Sequence, residues 1–126
     1  MKTSKKDFAL FKEQFLYWIH KMGLLNWEYV FEYCIPITPD KAYVVPDMKS
    51  KMCKVELMQD WGTEAVNHQT ISRVAFHEAH EVKYAPISSL LATFYSESLT
   101  EQMIHDTIKL DETCIFEPYY AEKYGE

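Results

Sequence analysis

The residues best equipped for chemistry are Ala75-Phe76-His77-Glu78-Ala79-His80-Glu81-Val82, in a stretch patterned as a long helix. In an H-E-x-x-H string, residues i and i+4 share a helix face. Two side chains then grip one zinc ion while the intervening glutamate draws a proton from water. Here position i+4 is Glu81 and the second histidine, His80, falls at i+3, so the string reads H-E-x-x-E. On a wheel referred to Ile71, the residues Val74, Ala75, Val82 and Ala85 gather within about 60° as an apolar stripe. Glu78 falls about 20° from its centre, His77 and Glu81 lie together on its flank, and His80 lies about 180° away. A carboxylate on a buried stripe is costly unless something holds it there. Service as a general base beside a metal is one reason; an ion pair with Arg73 or Lys109 is another. The spacing selects His77 and Glu81 as a ligand pair with Glu78 as base, and leaves His80 outside. Zinc accepts a carboxylate oxygen as readily as an imidazole nitrogen, although the added negative charge weakens its Lewis acidity. The same octet also suits a charged, solvated helix face with Glu78 in an ion pair.

Several elements must position these residues. Ser4 with Asp7 three residues on reads as a capping box opening a first helix. Phe8, Phe11, Phe15, Trp18 and Met22, with Ile19 alongside, give that helix one apolar face, and Gly23 stops it. Trp27 to Ile35 is aromatic and β-branched and suits a strand. Ala42-Tyr43-Val44-Val45 reads as a second strand, and Lys54 to Met58 as a third, antiparallel to the second through a turn at Asp47 to Ser50. The chain turns helical from Asn67, and Pro86 kinks or ends that helix, with Ile87 to Phe94 continuing at a new angle. Ser98-Leu99-Thr100-Glu101 reads as the capping box of a last helix running to about Phe116. On that helix Leu99, Met103, Leu110 and Cys114 mark the core side. His105 lies toward the polar side with Glu101 and Glu112, so periodicity leaves the third ligand open. The layout is one α+β domain over residues 1–126: an N-terminal helix, a small antiparallel sheet of about three strands, then two or three helices. Residues 117–126, with Tyr119, Tyr120 and Tyr124, are expected as a loose tail.

Composition narrows the function classes. The chain has 126 residues, enough for one core, and 48% hydrophobic content places it among packed globular proteins. A net charge of −6 argues against a nucleic-acid binder held by phosphate contacts. Cys34, Cys53 and Cys114 are odd in number and form no C-x-x-C pair, which signals neither a zinc knuckle nor a disulfide framework. No apolar run reaches membrane-spanning length and the opening residues lack an apolar leader, so a cytoplasmic protein without membrane contact is expected. His20 and His68 read as surface or packing residues.

The order of pieces resembles a group of phage and prophage metallopeptidase-like proteins with a zincin-like, loosely SprT-like domain. The resemblance runs over about residues 8–116. It rests on the opening helix Phe11 to Met22, Gly23-Leu24-Leu25-Asn26-Trp27 leading into Glu28-Tyr29-Val30-Phe31, the strand Cys53 to Leu57, and Arg73-Val74-Ala75-Phe76-His77-Glu78 entering the motif helix. It implies a zincin-like fold, Zn²⁺ held by His77, Glu81 and a later-helix histidine aligning with His105, and Glu78 as catalytic base. The segment after the motif, Val82-Lys83-Tyr84-Ala85-Pro86, is more polar than that group's apolar run. Two function classes follow. One is a zinc-dependent peptidase acting on a protein or peptide substrate in the host-cell cytoplasm. The other is a non-catalytic phage protein that binds and modulates a host or viral protein; a structural virion component is a third.

Overall fold

A computed structural model describes residues 1–36 and 39–125. Helix α1 (Lys5–Lys21) begins at the expected capping box: Ser4 N–H donates to the Asp7 carboxylate at 2.9 Å, and Asp7 N–H to Ser4 Oγ at 3.2 Å. It ends in a Schellman turn, with Gly23 N–H donating to the His20 carbonyl and Leu24 N–H to that of Ile19. Gly23 holds φ +72°, a conformation that costs a side-chain-bearing residue about 1 kcal/mol. Phe11, Phe15, Trp18 and Ile19 bury the face that their spacing marks.

Three strands follow: β1 (Glu28–Cys34), β2 (Ala42–Asp47) and β3 (Met52–Met58). β2 and β3 form the expected antiparallel hairpin, its turn tied by Lys51 N–H to the Asp47 carbonyl and by Lys49 N–H to the Asp47 side chain. The sheet as a whole is mixed, not antiparallel throughout. Its order is β1-β3-β2, and β1 pairs with β3 in parallel. Successive strands alternate in direction, so inserting the third between the first two makes its pair with the first parallel. β3 suits the central place because Cys53, Val55 and Leu57 are buried on one face and Glu56 and Met58 on the other.

Register puts Tyr29, Phe31 and Tyr33 of β1 on the same face as Cys53, Val55 and Leu57. Helix α1 packs there: Phe15 meets Tyr29 and Phe31 edge-on, and Phe8 stacks on Tyr33 at 5.2 Å. Helix α2 (His68–Phe94) completes this layer. Its cap is a reciprocal Asn67–Thr70 box, and Ile71, Ala75, Val82 and Ala85 are buried as the wheel requires. Pro86 does not end it; the helix runs eight residues further.

Only Tyr95 and Ser96 link α2 to α3 (Glu97–Asp111), so the cap falls on Ser96, which accepts from Leu99 N–H, and not on Ser98. The buried face of α3 is Thr100, Ile104 and Ile108, whereas Leu99, Met103, Leu110 and Cys114, expected to mark the core side, are exposed. Both faces of α3 are apolar, and packing on α2 chose the other one. A single π-helical turn, Glu112–Phe116, leads into α4 (Glu117–Tyr124). Of the segment expected as a loose tail, Glu117–Tyr124 is therefore helical and docked, and Glu126 lies outside the described residues. Tyr119 packs edge-on against Trp18 at 4.8 Å, Gln14 Nε2 donates to the Tyr124 hydroxyl, and Tyr120 hydrogen-bonds His68. Aromatic area buried against α1 and the start of α2 holds it.

Candidate metal centre

Helix α2 lies beside α1 in the layer on the sheet, and the motif octet lies where it is most enclosed. His80, which the wheel sets opposite the core, is buried. Its Nδ1–H donates to the Phe76 carbonyl at 2.9 Å, and its ring lies against Phe76 and Trp18. Helix α1 covers the side of α2 that a single apolar stripe would leave to solvent. With one nitrogen committed and the ring packed, His80 is a core residue.

The other motif residues line an open cleft of about 840 Å³. Its walls are β2, through Ala42, Tyr43 and Val44, and α3, through Ser98, Glu101 and His105. Here His77 Nε2 lies 3.4 Å from Glu81 Oε1, and the His105 ring, delivered by α3, centres 5.0 Å from that of His77. One ligand atom from each of His77, Glu81 and His105 lies within 4.8 Å of the other two. Zinc bonds of 2.0–2.1 Å in a tetrahedron set ligand atoms about 3.3 Å apart. The His77–Glu81 separation matches that edge, and exposed His105 offers a nitrogen within 4.8 Å of both. Two imidazoles and one carboxylate are also a donor set of catalytic zinc. The residues fit the ion.

Glu78 projects from the same turn and is 5% exposed. Its Oε2 has no hydrogen-bond partner among the described residues. Burial, reinforced by the carboxylates of Glu81, Asp40 and Glu112 against the opposing pull of His77, pushes its pKa up to about 8. The cations proposed from sequence do not pair with it: among the described residues, the ion pairs of the motif region are His77 with Glu81 and His77 with Glu112. Arg73 instead lies over the Phe116 ring, and Arg73 and Lys109 both act on Glu112.

Glu112 is a further residue that sequence reasoning placed wrongly. Read as part of a polar face, it is buried, with Oε2 3.8 Å from His77 Nδ1. Its N–H still bonds the Ile108 carbonyl, so it continues the Thr100, Ile104, Ile108 face at four-residue spacing, and it is buried because that face of α3 turns inward. His77 thus has a carboxylate beside each ring nitrogen. Burial alone would depress its pKa, but Glu112 and Glu81 raise it to about 9. Were Nε2 to bind a metal, Nδ1 would be left facing Glu112, which would help hold the ring orientation, as outer carboxylates do for ligating histidines. The paired Glu112 is held below the usual carboxylate range, His77 outweighing burial.

A second group of donor side chains, Glu32, Cys34 and Glu56, lies on the opposite face of the sheet. Lys54 sits 3.7 Å from both carboxylates, so this cluster is already compensated. Burial, with the Glu56 carboxylate at 3.3 Å, pushes the Cys34 thiol up to about 11, which disfavours the thiolate that a metal needs. Comparison with protein-family models, curated proteins and solved structures finds no match. No helix among the described residues is long and apolar enough to cross a membrane.

Proposed function

We propose that this chain is a zinc-dependent peptidase of zincin-like type. The observation that carries the reading is the convergence of His77 and Glu81 from α2 with His105 from α3, beside a buried Glu78 carboxylate whose Oε2 is unpartnered. Zinc held by those three residues would polarise a peptide carbonyl and acidify water. Glu78, beside that ion, would take a proton from the attacking water and return it to the leaving amine. β2 is an edge strand bordering the cleft, so an extended peptide can add to it as a further strand while its side chains meet the walls. The test is elemental analysis of protein purified without a histidine tag, followed by peptide hydrolysis by wild type and Glu78→Gln. Near-stoichiometric zinc, with activity lost in a folded Glu78→Gln protein, supports the enzyme. Absence of zinc and equal inertness of both proteins overturns it.

One observation favours the second reading, a non-catalytic binding domain. His77 between Glu81 and Glu112 forms a charge-satisfied group with no metal present. Such a network keeps the fold after catalysis is lost, and the same zinc measurement separates the two readings.

A further inference from the structure

Every buried residue of α2 lies between Ile71 and Ala85. The last two and a half turns, from Pro86, add no buried residue, yet their composition is that of a core. No Asp, Glu, Lys, Arg or His occurs from Tyr84 to Ser96. Ile87, Leu90 and Phe94 recur at three and four residues and are exposed, Leu90 by 62% and Phe94 by 75%. Beyond the link, exposed Tyr95, Leu99 and Met103 continue the apolar surface onto α3. These two α3 residues belong to the apolar face that packing on α2 leaves open. The antiparallel end of α2 and start of α3 is thus a helical hairpin whose outer stripes have the spacing of a helix-helix seam.

With side chains of this size exposing about 200 Å² each when free, the six present roughly 700 Å². That exceeds the largest apolar patch of most monomers and approaches the ~800 Å² per partner of a standard interface. The chain as a whole carries a net charge of −6, and none of it falls between Tyr84 and Ser96. The α2 half of the hairpin offers a basic partner no acidic side chain, and on the α3 half Glu101 lines the cleft. The occupant must be apolar over the area of these six side chains, and an identical hairpin meets that condition.

We propose that two copies of this chain associate through the α2–α3 hairpins, the four helix ends forming a small bundle about a two-fold axis. Ser88, Ser98 and Glu101 line the cleft from these same segments, so the contact lies beside its mouth. The association depends on no metal, and its failure would leave the peptidase reading untouched.

The test is light scattering coupled to size exclusion on the full chain, from low micromolar to hundreds of micromolar, with chelator present. The expected mass is twice the 14.9 kDa of one chain at the higher concentrations. Leu90→Glu and, independently, Met103→Glu each weaken the dimer at least about tenfold. Both positions are exposed, so circular-dichroism melting curves should match wild type and separate loss of association from loss of fold. A wild type that stays at 14.9 kDa throughout, or a dimer indifferent to both substitutions, overturns the proposal. So does a monomer that co-floats with phosphatidylcholine–phosphatidylglycerol vesicles, since the hairpin would then face lipid.

Discussion

Glu78→Gln should make the metal-free protein more stable, a consequence of holding a carboxylate where only a working one belongs. The substitution keeps shape and removes the ionisation. In the fold the carboxyl pKa stands near 8 against an ordinary 4.5, mainly through burial. A folded value above the unfolded one means that the folded chain binds the extra proton. The stability this group contributes is fully present below about pH 4.5 and lost as pH rises through about 8. At about pH 7 the loss, at ~1.4 kcal/mol for each pH step above the ordinary pKa, is on the order of 3 kcal/mol relative to a side chain that cannot ionise. Near pH 5 it falls below ~1 kcal/mol. Urea denaturation of wild type and Glu78→Gln in chelator, near pH 5 and near pH 7, reads the difference directly. The variant should gain at neutrality and approach wild type in acid. Equal or lower stability of Glu78→Gln at both pH values would refute the reasoning, because it would mean that water or a cation already satisfies the carboxylate.

Zinc titration by calorimetry should show binding abolished in Glu81→Ala and strongly weakened in His105→Ala. His80→Ala should keep the affinity but lose about 2–4 kcal/mol of stability from its packed site; the reverse pattern would place the metal on the other histidine pair. Glu112→Gln should weaken zinc about 10–100-fold in a chelator competition, and an unchanged affinity would remove Glu112 from the site. Tyr119→Ala should cost about 3 kcal/mol in a denaturant melt, since its ring fills the contact with Trp18 and Tyr17; a neutral effect would restore the loose-tail expectation.

Much of the fold was legible because it is written locally. The Ser4–Asp7 cap and the Asn67 start of α2 depend on residues three apart, and the stripes of α1 and α2 on a period that the chain carries along itself. The β2–β3 hairpin follows from its turn. The same period set Glu78 on the buried stripe and His77 with Glu81 on its flank, so half of the candidate site needed no structure. The resemblance, not periodicity, named His105. What remained belongs to surfaces that meet only after the chain folds. Local alternation cannot say that β3 inserts between β1 and β2, since strand order depends on which strand is buried on both faces. A wheel drawn for one core cannot show that α1 buries His80 from behind, nor which of two apolar faces α3 turns inward. Glu112 reached His77 because it lies one turn beyond Ile108, on the face of α3 that packing turned inward. His105 met the motif because α3 folds back on α2. Spacing along the chain determined which side chains share a face; packing between elements decided which faces are covered and which side chains meet.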